Sequence, residues 1–150
     1  MPGFLGDENG FTLIELMVVV AIIAVLLAVA IPYFIGLHQA AQDRAAQADL
    51  RNVLLAEKMV WLEQGIYTGD FAVLNAVRPG SLLSADPRLG VFVDVNDADD
   101  QVSCLVRASG SGRVFAMWES AVAGTHFGAT DLSTADCPAA APAGYHQGGF

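Results

Sequence analysis

Gly10-Phe11-Thr12-Leu13-Ile14-Glu15-Leu16 places one carboxylate at the mouth of an apolar segment, and the reading of that segment decides the fold. From Leu16 to Ile31 the chain holds 16 consecutive apolar residues, and only Thr12, Glu15 and Pro32 interrupt the 24 positions from Phe11 to Phe34. A helix of roughly 20 apolar residues spans the hydrocarbon core of a bilayer, so this segment is long enough to cross one. An ionised Glu near the edge of such a helix costs about 1 to 3 kcal/mol in lipid. The charge therefore calls for a partner.

Beyond Pro32 the sequence stays helical but turns amphipathic. Ala40, Ala41, Ala45, Ala46 and Ala48 are strong helix formers, and Leu50, Val53, Leu54 and Trp61 fall on one face. Asp43, Arg44, Asp49, Arg51, Glu57, Lys58 and Glu63 supply the polar positions. Pro32 removes one backbone hydrogen bond and crowds the preceding turn, which predicts a bend and not an end, since helix formers follow. Gly65 is the expected stop. The 54 residues from Phe11 to Gln64 make about 80 Å of helix at 1.5 Å per residue. No small domain covers that length, so the first half must lie in membrane or against other copies of itself.

Residues 65–90, punctuated by Gly65, Gly69, Pro79-Gly80, Pro87 and Gly90, read as connecting loop with room for a short helical turn. Three strand-like runs follow: Val91 to Val95, Val102 to Val106, and Val114 to Trp118. A fourth short strand is placed around Thr125 to Phe127, and the tail from Asp131 reads as loop. An antiparallel meander is the economical arrangement. The expected fold class is α+β: a long N-terminal helix, transmembrane over 11–32 and amphipathic over 33–64, packed on a small antiparallel sheet within 91–150.

At 150 residues the chain has room for one folded unit plus a membrane helix. Its formal charge is −9, and its seven basic residues are scattered. Phosphate contacts need clustered Lys and Arg, so the charge balance argues against a nucleic-acid surface. Cys104 and Cys137 lie outside the apolar helix, and an even count in an exported chain predicts a disulfide, with two free thiols as the alternative. Neither sits in a Cys-x-x-Cys or Cys/His cluster, so no zinc-type site is expected.

The acidic stretch holding Asp94, Asn96, Asp97, Asp99 and Asp100 is a weak calcium candidate. It lacks the Gly and Glu that an EF-hand loop needs at its sixth and twelfth positions, and a solvated hairpin turn is the favoured reading. His38, His126 and His146 are dispersed, and Ser103, Ser109 and Ser111 have no nucleophile context. Trp61, Tyr67, Phe71 and Trp118 read as packing aromatics, while Tyr33 and Phe34 suit an interfacial belt. No catalytic constellation emerges, and no cofactor is implied.

The segment around Gly10 to Glu15 resembles the N-terminus of a type IV pilin precursor. In that family a short leader ends in Gly, a peptidase cuts before the following Phe, and the new Phe amine is methylated; Gly10 and Phe11 match these positions. Glu15 matches the family's Glu near the new N-terminus, and Pro32 matches its Pro at the far end of the apolar helix. The resemblance implies a leader over 1–10, and a Glu15 that pairs with the Phe11 amine of a neighbouring copy and so sets the stagger between subunits. It also implies a helical homopolymer serving adhesion, motility or DNA uptake. The partners implied are the prepilin peptidase and N-methyltransferase, an assembly platform and its ATPase, and the inner membrane before export to an extracellular filament.

Three rival readings share the residues. A pseudopilin of a secretion system or a minor pilin keeps the same assembly class, and bound calcium at Asp94 to Asp100 would favour the pseudopilin. A single-pass anchored binding or enzymatic domain would form no polymer. An ordinary signal peptide cut near Ala28-Val29-Ala30 conflicts with residues 1–15, which hold Asp7, Glu8 and Glu15 and no Lys or Arg. The acidic leader also departs from the family's usual basic one, so orientation rests on the resemblance and not on the positive-inside rule.

Overall fold

The computed structural model describes residues 10–129 and 137–150. Residues 1–9 of the expected leader, and the start of the expected C-terminal loop at Asp131, lie outside the described residues. The elements in chain order are α1 (Leu13–Gln64), α2 (Phe71–Val77), β1 (Phe92–Val95), β2 (Val102–Ala108), β3 (Val114–Ser120) and β4 (Gly124–Gly128). The chain divides into two compact units, one ending at His38 and one running from Gln39 to Phe150.

In the first unit α1 continues without interruption through Pro32. Every residue from Gly10 to His38 is exposed, with Phe11 at 78 % and Val29 at 73 %. An apolar surface this extensive needs lipid or protein around it.

In the second unit α1 buries a stripe spaced by four, three, four and three: Ala46, Leu50, Val53, Glu57 and Val60. The stripe packs with Leu74 of α2 and with Val91, Val93, Leu105, Phe115 and Met117 from the sheet side. Each fully buried Val or Leu contributes about 1.5 to 3 kcal/mol, so the stripe is the main fastening of helix to sheet. Glu57 corrects the sequence reading, which places it among the solvated positions: its side chain is fully buried. Its spacing puts it on the core stripe, and its charge alone suggests otherwise. Two ion pairs add to the same fastening, Arg107 to Asp49 and Arg113 to Asp43, each at 3.3 Å.

The four strands form an antiparallel meander in the order β1-β2-β3-β4. Val93, Leu105, Met117 and Phe127 stand in one row across the sheet, and this row belongs to the core beneath α1. The neighbouring row is Asp94, Cys104, Trp118 and His126. Side chains alternate faces along a strand, so this row points away from the helix. There the C-terminal segment covers it: Val102, Cys104 and Trp118 form a second small core with Cys137, flanked by Ala141 and Tyr145. Coverage on both faces is why β2 and β3 are buried along most of their length.

Helix α1 ends where Gly65 adopts φ +76°, its N–H donating to Trp61 O at 2.8 Å. That left-handed conformation favours glycine. The segment after it holds the seven-residue α2. Asp70 caps it, accepting from Ala72 N–H at 2.8 Å, and Leu74 is fully buried.

Candidate functional site

At the N-terminus Gly10, Phe11 and Thr12 are non-helical, and α1 begins at Leu13. Thr12 acts as the helix cap: its Oγ1 accepts from Glu15 N–H at 3.4 Å and donates to Glu15 Oε2 at 3.5 Å, while Leu16 N–H donates to Thr12 O at 3.3 Å. Ser or Thr followed three residues later by Glu is the signature of a capping box. The Thr12-x-x-Glu15 spacing carries this signal in the sequence, where the reading above uses Glu15 only as a charge seeking a partner. An acidic side chain in the first turn also faces the positive end of the helix dipole. The carboxylate is exposed, so the local role leaves it free to meet a second partner.

A cluster of buried polar groups lies between α1 and the sheet. Glu57 Oε2 accepts from Thr68 N–H at 3.2 Å, and Oε1 is buried with no hydrogen-bond partner. Burial pushes this carboxyl up to about 8, with the Thr68 bond pulling weakly the other way. Glu119 on β3 is buried too, and it accepts from Lys58 Nζ at 3.2 Å, from the Tyr67 hydroxyl at 3.3 Å and from the Thr125 hydroxyl. A buried carboxylate survives when it is paired and hydrogen-bonded in this way. Burial, and then the negative charge of Glu119 beside it, hold the Tyr67 phenol well above its ordinary range. Ser103, opposite Glu119 on β2, is fully buried with an unpartnered hydroxyl. Lys58, Tyr67 and Glu119 also line a cavity of about 250 Å³ with Trp61, Leu62 and Gly124. Their polar atoms already bond to one another, so the cluster is a fastening between layers.

Cys104 on β2 and Cys137 form a disulfide. The acidic turn after β1 is built around it. Asp94 Oδ2 accepts from Cys137 N–H at 2.8 Å, and Asn96 Nδ2 donates to Cys137 O at 2.6 Å. Asn96 Oδ1 accepts from Ala98 N–H, and Asp99 Oδ1 from Gln101 N–H, each at 3.0 Å. Of the five residues read as a weak calcium candidate, Asp94, Asn96 and Asp99 thus hold main-chain groups. Among the described residues, no group of three or more His, Cys, Asp or Glu converges in a way that could hold a metal ion.

The remaining sequence candidates are packing groups. Trp61 stacks with Tyr67 and donates to Gln101 Oε1 at 2.9 Å, while Trp118 donates to Pro138 O at 2.8 Å. His126 meets the edge of Trp118, and His38 stacks on Phe34. The structure brings Asp94 and Asn96 to Cys137, and keeps Gly10, Phe11 and Glu15 together at the start of α1.

These features define a class: an α+β subunit whose first helix is long and apolar enough to cross a membrane, with a capped carboxylate at its start and a disulfide-bounded C-terminal segment. Residues 6–31 match the family described as the prokaryotic N-terminal methylation motif. Over 134 residues the chain is 30 % identical to the type IV wide pilus major component PilA4 of Thermus thermophilus, spanning 88 % of this chain and 98 % of that protein. It is also 46 % identical over 65 residues to the type IV major pilin protein PilA of Myxococcus xanthus, spanning 43 % of this chain and 29 % of that one. The chain belongs to the type IV pilin family.

Proposed function

We propose that the chain is a structural subunit of a type IV pilus, made as a membrane-anchored precursor, cut between Gly10 and Phe11, methylated at Phe11 and polymerised through α1. The observation that carries this reading is the apolar stretch from Phe11 to His38, every residue of it exposed, with Glu15 its single carboxylate. Such a helix is stable only in lipid or among other copies of itself. In lipid, apolar contact between helices supplies little net attraction, so close packing and polar pairing must give the assembly its geometry. Glu15 supplies the pairing: with the Phe11 amine of a neighbour, it disfavours any register that leaves the carboxylate alone in a low-dielectric core. Pro32 marks the far end of the assembly segment.

In this reading the chain catalyses nothing itself. Its partners are other copies, the peptidase and methyltransferase, and the assembly platform with its ATPase; it passes from the inner membrane to the cell surface. The pseudopilin alternative, which bound calcium at the acidic turn would favour, has Asp94 and Asn96 of that turn engaged with Cys137. Intact mass measurement of the mature chain tests the proposal. A new N-terminus at Phe11 carrying one added methyl group is expected, and an intact Met1 or a start at Ile31 would overturn it.

A further inference from the structure

Arg44, Arg88, Arg107 and Arg113 are scattered in sequence but gather at one end of the second unit. Gln39 opens this unit, and the turns of α1 that follow lie at the end of the sheet where β2 passes to β3. There Asp43 accepts from Arg113 Nη1 and Asp49 from Arg107 Nε, each at 3.3 Å. Residues 86–90 turn at the same end. Ala108 N–H donates to Pro87 O at 2.8 Å, and Arg107 Nη1 donates to Pro87 O at 3.2 Å and to Gly90 O at 3.4 Å. Leu89 N–H closes the turn on Asp86 O at 3.0 Å, and the turn is seated so tightly that a Cβ on Gly90 would lie 2.7 Å from Ser84. It presents Arg88 exposed and Leu89 at 70 % exposure.

The two ends of the unit differ in charge. At this one Asp43 and Asp49 are taken up by Arg113 and Arg107, and Asp86 accepts from Arg88 N–H at 2.9 Å. Arg44 and Arg88 form no ion pair among the described residues. At the other end Trp61, Gly65 and Tyr67 bond Gln101 and Asp100 of the β1–β2 turn. Glu63, Asp97, Asp99 and Asp100 are exposed there, and residues 59–77, 89–106 and 114–150 contain no Lys or Arg.

We propose that the basic end docks on anionic lipid headgroups while the chain is anchored in the membrane, with Leu89 entering the interface and Arg44, Arg88 and Arg113 meeting phosphate. A guanidinium matches phosphate oxygens with paired hydrogen bonds. An exposed apolar side chain beside arginine suits an interface, because it adds buried apolar area to the electrostatic attraction. An anionic surface attracts one end of the unit and repels the other, so it orients the unit as well as holding it. Lipid is the occupant because α1 enters the unit at this end, and the residues before Gln39 in the chain are those read as the membrane anchor. The inference rests on that reading of the chain as a membrane-anchored precursor, and it adds the folded unit to the lipid contacts.

The test uses the full-length chain in vesicles of phosphatidylcholine alone, or of phosphatidylcholine mixed with phosphatidylglycerol. Leu89→Cys or, as control, Val122→Cys carries an environment-sensitive fluorophore, with the native disulfide left intact. Val122 follows Ala121, whose N–H donates to Gln101 O at the acidic end, and it is 94 % exposed. In mixed vesicles the Leu89→Cys label should shift to the blue and be quenched by headgroup nitroxide lipid, and the Val122→Cys label should do neither. Adding Arg44→Gln and Arg88→Gln should lower the docked-to-free ratio about tenfold or more. Labels that behave alike at the two positions in mixed vesicles, in chains that float with the lipid, overturn the docking and leave the membrane-anchored reading intact. An equal shift in both vesicle types overturns the recognition of anionic lipid. An undiminished ratio after the arginine changes overturns the role of those side chains. Chains that do not float with the vesicles overturn both the docking and the anchored reading.

Discussion

Replacing Glu57 with Gln should make the folded unit more stable at neutral pH, although a native side chain is removed. The folded carboxyl is pushed from its ordinary value of 4.5 up to about 8 by burial. Between those limits the unfolded chain ionises while the folded one keeps its proton. Stability therefore falls as pH rises through the window, by about 1.4 kcal/mol per unit, and levels off above it. At pH 7.5 the cost is about 3 to 4 kcal/mol, a large share of the stability of an ordinary domain. Glu57→Gln keeps an acceptor for Thr68 N–H and removes the titration. The assay is thermal unfolding of the full-length chain in detergent micelles from pH 5 to 8.5, followed by tryptophan fluorescence, since Trp61 and Trp118 both lie in the second unit. The variant should gain about 10 °C over wild type at pH 7.5 and little at pH 5. Histidine titration is common to both proteins and cancels in the difference. Parallel melting-temperature profiles across the range would refute the reasoning.

Two further outcomes concern the C-terminal segment. The paired change Cys104→Ser and Cys137→Ser opens a cross-link spanning 33 positions, and should cost about 3 to 4 kcal/mol in denaturant titrations. Trp118 fluorescence should stay native-like until Asn96→Ala is added, because Asn96 and Asp94 hold the Cys137 main chain without the sulfur bond. A Cβ at Gly128 would lie 2.2 Å from the Tyr145 ring. Gly128→Ala should therefore displace that ring at a cost of about 1 to 3 kcal/mol, and speed hydrogen exchange at the paired amides of Phe127 and His146.

Reading the sequence was most secure where one period ran unbroken. The apolar run to Ile31, the glycine stop at Gly65 and the three principal strand runs each rest on a local signal, and each reappears in the structure as an element or its end. The disulfide followed from the parity of two cysteines. Harder to see was anything that needs two distant segments at once. Glu57 carries the identity of a surface residue at the spacing of a core one, and only the sheet over it decides between them. Asp94 and Asn96 look like cation ligands in a linear sequence; their use emerges when Cys137, far along the chain, arrives between them. The Thr12-x-x-Glu15 cap was local and legible, but the reading of Glu15 as a charge seeking its partner on another copy obscured its tie to Thr12.

That tie has a consequence for the proposed cut. A protease grips its substrate as an extended strand, and a bond inside a helix is closed to it. The cap at Thr12 stops α1 from winding back toward the N-terminus, so the Gly10–Phe11 bond stays in non-helical backbone while the apolar helix begins two residues later. On the proposed processing, the same Thr-x-x-Glu spacing that starts the helix also keeps the Gly10–Phe11 bond open to cleavage.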